Sequence, residues 1–111
     1  MAEVELTSFE DRLQQLLIAV EASDHEDARV QLQELHPGEV ARILEALTPR
    51  ERSFVWPGID ISIQGEALKE VNEDVQSQLI DEMSVEDLVA ATEGLDTDDL
   101  ADIVPNLPET A

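Results

Sequence analysis

The sequence predicts an all-α fold, a solenoid-like superhelix of short amphipathic helices, on three observations. Apolar residues recur every twelve positions, at Leu35, Leu47, Ile59, Val71, Met83, Leu95 and Leu107. The residues that follow them are His36, Thr48, Asp60, Asn72, Ser84, Asp96 and Pro108. Thr, Asp, Asn and Ser are helix N-cap types, whose side-chain oxygens accept orphan amides of a first helical turn. Between these marks, apolar side chains fall at i, i+3, i+4 and i+7, the stripe of an amphipathic helix.

Two longer helices are predicted ahead of the repeats, over 1–34. The first runs from about Ser8 to Ala22, with Phe9, Leu13, Leu16, Leu17 and Val20 on its apolar side. The second follows Ser23-Asp24 and reaches about Leu35. Six repeats then fill 35–107, a short tail takes 108–111, and all 111 residues read as a single domain. The first repeat places Val40, Ile43, Leu44 and Leu47 in its apolar slots, and the last places Leu100, Ile103, Val104 and Leu107.

Of 24 such slots only Arg52, Gln64, Gln76 and Thr92 are not apolar, whereas a 42% apolar composition would fill about ten by chance. Ile63 and Val75 stand one place before Gln64 and Gln76, which predicts a slight rotation of those two helices. Pro37 and Pro49 suit first helical turns. Glu39, Glu51, Glu73, Asp74, Glu86, Asp87, Asp98 and Asp99 crowd those turns, where negative charge complements the helix dipole. About nine helical residues per repeat give about 13 Å of helix, too short to stand without neighbours. Ile59-Asp60-Ile61-Ser62-Ile63 alternates like a strand, but its register predicts a turn into a helix.

Charge and composition exclude several functions. Six Lys and Arg face 27 Asp and Glu, a formal net charge of −21. Such a surface repels nucleic acid and anionic lipid, which need cationic contacts. It attracts cations and basic protein surfaces, and it also serves solubility or a salty cytoplasm. No cysteine is present, so disulfides, thiolate zinc sites and cysteine nucleophiles are excluded. The acidic, mixed start from Met1 to Ser8 predicts no signal peptide, and no apolar run is long enough to span a bilayer.

Catalytic and other metal motifs find no support. His25 and His36 lack the spacing of a helical zinc pair. His36 reads instead as a residue at a helix start, and Trp56 falls in a core slot. Asp96-Thr97-Asp98 opens like a calcium loop, yet Ala101 and Leu107 stand where that loop needs glycine and glutamate. No glycine-rich phosphate loop occurs, serines lack a matching base, and carboxylate pairs are too abundant to single out an acid–base pair. The chain is expected not to be an enzyme.

The ungapped register and two of its segments resemble a known family. Leu35-His36-Pro37-Gly38-Glu39-Val40-Ala41-Arg42-Ile43-Leu44-Glu45-Ala46-Leu47 is similar to the opening of the intracellular N domain of MgtE magnesium channels. Asp98-Asp99-Leu100-Ala101-Asp102-Ile103-Val104 is similar to its last regular repeat. The resemblance implies a helical superhelix, related to part of the flagellar motor protein FliG, on the cytosolic side of the membrane. In that family the domain precedes a CBS domain pair, a connecting helix and a channel that works as a homodimer. Magnesium held between the N and CBS domains favours the closed pore. Those later parts have no counterpart in this sequence, so the expectation is a regulatory piece or stand-alone relative, not a pore.

Carried over residue by residue, the family's magnesium-contacting acids fall on Glu66, Asp98 and Asp102. Asp98 and Asp102 are four apart on one helical face, where like charges cost about 0.2–0.5 kcal/mol and a divalent cation reverses the sign. Magnesium takes carboxylate oxygens and keeps several waters. The expected effector is therefore Mg2+, bound weakly by the domain alone because the partner's acids are missing. The alternative expectation is a protein-interaction adaptor that holds a basic or helical partner without metal.

Overall fold

The computed structural model describes residues 9–96 together with Asp98, Ala101 and Ile103. Seven α-helices occupy them: α1 (Phe9–Glu21), α2 (His25–Gln33), α3 (Pro37–Ala46), α4 (Pro49–Val55), α5 (Ile61–Glu70), α6 (Glu73–Asp81) and α7 (Val85–Thr92). A 3-10 turn, Trp56–Gly58, follows α4. The described residues contain no strand, and Ile61 opens α5 with Asp60 as its N-cap.

Helix starts obey the predicted register. His36, Thr48, Asp60, Asn72 and Ser84 are the N-caps of α3 to α7. The amide of Gly38 donates to His36 Nδ1 at 3.3 Å, that of Val75 to Asn72 Oδ1 at 2.9 Å, and that of Asp87 to Ser84 Oγ at 3.0 Å. Thr48 and Glu51 bond reciprocally, each accepting from the other's amide end of the first turn. Asp60 is the exception, because its carboxylate accepts from the Ser62 hydroxyl at 2.9 Å instead of from a turn amide.

The leading helices differ from expectation in one respect. α1 has 13 residues, but α2 has nine, no longer than the repeat helices. α2 must end early because His36 is extended to cap α3 and Pro37 follows it, a residue before which helix is disfavoured. α1 ends at Glu21, and Ser23 in the turn behind it adopts φ 56°. Asp24 N donates to Ala19 O at 2.9 Å and Ser23 N to Val20 O at 3.0 Å, the paired bonds of a left-handed helix stop.

One apolar core runs from Leu16 of α1 to Ile103. α5 packs against both α3 and α7, while α1 and α2 pair with each other and with α4. Trp56 is buried at the turn between α4 and α5, and Pro57 behind it stops α4 after seven residues. Gly65 fixes the α5–α7 approach: a Cβ there would stand 2.0 Å from the carbonyl oxygen of Ala91.

Three polar residues in core slots are buried rather than turned away. Arg52, Gln64 and Gln76 are 9%, 5% and 3% exposed. Each donates to a main-chain carbonyl eight residues earlier: Arg52 Nη1 to Leu44 O at 3.0 Å, Gln64 Nε2 to Trp56 O at 2.9 Å, and Gln76 Nε2 to Leu68 O at 2.8 Å. The predicted rotation is therefore unnecessary, since the slot is polar for a reason. Carbonyls near a helix C-terminus lack intrahelical donors, and the next helix supplies one.

Candidate metal-binding and docking surface

Glu66 lies on α5, one residue past the glycine that seats this helix against α7. Its side chain is 43% exposed, and an oxygen lies 3.0 Å from Lys69 Nζ, one turn along. A pair this exposed contributes little, within the zero to about 1 kcal/mol of surface ion pairs. Glu66 and Glu93 stand at the rim of an open groove of about 440 Å³ between α5 and α7, whose apolar lining includes Ile61, Ile63 and Leu95.

Beyond Ile61 lies a second hollow of about 410 Å³. Asp60, Glu82 and Asp87 line it, with Met83 and Trp56 among its apolar members. Trp56 Nε1 is buried without a hydrogen-bond partner. Glu82 is tied to α4 by accepting from Ser53 Oγ and from Gln78 Nε2, and Gln78 Oε1 in turn accepts from Arg52 Nε at 2.8 Å. The buried Arg52 guanidinium is thus connected to a carboxylate through one amide, which lowers the cost of burying its charge.

Of the three acids implied for magnesium, the structure places Glu66 as above and Asp98 as an exposed helical residue. Asp102 lies outside the described residues. Among the described residues, no group of three or more His, Asp or Glu could hold a metal ion. Carboxylates are the right donor chemistry for magnesium, which needs only one or two of them beside water. Glu66 and Asp98 are thus of the right donor type, each as a single exposed or half-exposed carboxylate.

The rim carboxylates Asp60, Glu82, Asp87 and Glu93 were not legible as a set. They occupy four different places in the twelve-residue register, so no periodicity joins them, and only the crossing of α5 over α7 does.

Capped helices starting every twelve residues, edged with carboxylates, define a small all-helical module. Among the described residues, no helix is long and apolar enough to cross a membrane. The chain belongs to the family of the MgtE intracellular N domain, whose family model matches residues 35–111. The match begins at the residue that opens the repeats and omits all of α1 and α2. It makes the chain a magnesium transporter-associated cytosolic domain. The family is a regulatory domain of a membrane transporter that also carries a CBS domain, and it is not an enzyme family. No curated protein and no solved structure matches the chain.

Proposed function

We propose that the chain senses cytosolic magnesium through Glu66, Asp98 and Asp102, sharing the ion with acids of a CBS domain pair and so favouring the closed state of a homodimeric transporter. The observation that carries this reading is the half-exposed carboxylate of Glu66, at the edge of α5 within the matched stretch. Its contact with Lys69 is a weak, half-exposed pair that a divalent ion readily replaces. Magnesium supplies the positive charge that offsets repulsion between two acidic surfaces. Without it, a chain of net charge −21 is pushed from an acidic partner. The equilibrium shifts only as far as the closed arrangement binds the ion more tightly than the open one.

The isolated chain holds only part of each coordination shell and should bind weakly. A magnesium titration followed by ¹⁵N amide spectra tests this. Amides around Glu66, Asp98 and Asp102 should shift more than those of the acidic first turns at Glu73-Asp74 and Glu86-Asp87. Equal shifts at all these turns would remove the site assignment.

A further inference from the structure

We propose that the two hollows flanking Ile61 form one docking surface for a basic amphipathic helix, independently of magnesium. Ile61 belongs to the lining of both hollows and is 37% exposed. It stands as a ridge between two open depressions of about 440 and 410 Å³, each large enough for an aliphatic or aromatic side chain. Apolar residues one or two helical turns apart on a partner would straddle that ridge, the usual way a helix anchors in a groove.

Charge selects the partner. The linings contain five carboxylates, Asp60, Glu66, Glu82, Asp87 and Glu93, and no lysine or arginine. Lys69 pairs with Glu66, and the surrounding chain has 27 acids against six Lys and Arg. An acidic partner, or a second copy of this chain, would meet like charge across the contact, whereas Lys and Arg flanking the apolar anchors meet carboxylates. A protein segment with leucine-type anchors and cationic flanks therefore fits, and nucleic acid does not.

The test uses the 111-residue chain and a fluorescein-labelled amphipathic helix of leucine and lysine, about 18 residues or five turns long. Binding is read by anisotropy and by emission of Trp56, the single tryptophan, which lines one hollow. Ile61→Asp should weaken binding about tenfold, the worth of one buried aliphatic anchor. Ile61 is the first residue of α5, where an acid suits the helix dipole, so the variant keeps its fold, as circular dichroism would verify. Ile18→Asp on α1, 65% exposed and outside both hollows, adds the same charge and should leave affinity unchanged.

Binding should fall with monovalent salt and persist in chelator. The proposal is overturned if Ile61→Asp binds as tightly as the parent or tighter, since attraction by charge alone predicts that sign. A scrambled Leu/Lys peptide of equal affinity overturns it as well. So does a dimer, seen by light scattering, that Ile61→Asp dissociates. Loss of peptide binding leaves the magnesium titration untouched, so the two readings fail separately.

Discussion

The side-chain amide of Gln64 donates to the main-chain carbonyl of Trp56 at 2.9 Å, with both groups buried. The same relationship recurs twelve residues earlier, from Arg52 to Leu44, and twelve later, from Gln76 to Leu68. Donor and acceptor are always eight residues apart, so the bond follows the repeat and not any one helix. It joins the end of one helix to the next helix's buried face. In the following repeat the slot holds Leu88, and the carbonyl at the matching place, that of Ile80, accepts from Met83 N at 3.1 Å.

Replacing Gln64 or Gln76 by leucine should therefore destabilise, although it places an apolar residue in an apolar slot. Each change deprives a buried carbonyl of a donor, at about 1–3 kcal/mol. Trp56 O keeps a second bond from Ile59 N at 3.1 Å, so Gln64→Leu belongs at the lower end of that range. Urea unfolding followed by circular dichroism measures both. A stabilised variant would show that the bond is incidental.

Gly65→Ala should cost more than about 2 kcal/mol, despite alanine's better helix propensity. Propensity favours alanine by about 1 kcal/mol in an exposed helix. Here the added methyl would meet the Ala91 carbonyl at 2.0 Å, and backbone must move to admit it. Gly94→Ala is the comparison, since nothing lies within 4 Å of its added carbon and its φ is not positive. That change should be neutral or stabilise by about 0.4–1 kcal/mol through the unfolded chain. Thermal melts of the two variants should move apart.

Ser23→Gly should stabilise the chain. Ser23 holds φ 56° at the end of α1, a conformation that strains any side chain and that glycine adopts freely. Relief of about 1–2 kcal/mol of left-handed strain, less the roughly 0.5–1 kcal/mol that glycine's greater freedom in the unfolded chain costs, leaves a net gain of about 1 kcal/mol or less. Hydrogen exchange at the amides of Ser23 and Asp24, which close the helix stop, should slow in proportion.

The caps should not be equal. Thr48→Ala removes the acceptor of the Glu51 amide and should cost about 1 kcal/mol. Asp60→Ala removes a side chain that makes no cap bond and should cost clearly less. Parallel denaturant titrations rank them, and an equal loss would mean that residue type, not the bond, sets the effect.

Much of this protein was determined by sequence alone. The twelve-residue register places five N-caps, from His36 to Ser84, because capping chemistry and helical periodicity are both local and act through a few adjacent residues. The burial of Val40, Leu44, Leu68 and Leu79 follows from the same stripe. The family was legible in the segment from Leu35 to Leu47, where the matched stretch begins.

What the tertiary structure decided depends on groups far apart in the chain. The spacing marked Gln64 and Gln76 as interruptions, since no local rule shows that a carbonyl eight residues back needs a donor. Nothing local requires glycine at position 65; the approach of the Ala91 carbonyl does. Glu66 was implied by resemblance, but its pairing with Lys69 and its place on the groove rim come from the fold. The hollows on either side of Ile61 are lined from the start of α5 and from α7, and their carboxylates Asp60, Glu66, Glu82, Asp87 and Glu93 share no place in the register. Periodicity specifies which face of each helix is buried; only packing specifies what that face meets, because the contact is set by two helices at once.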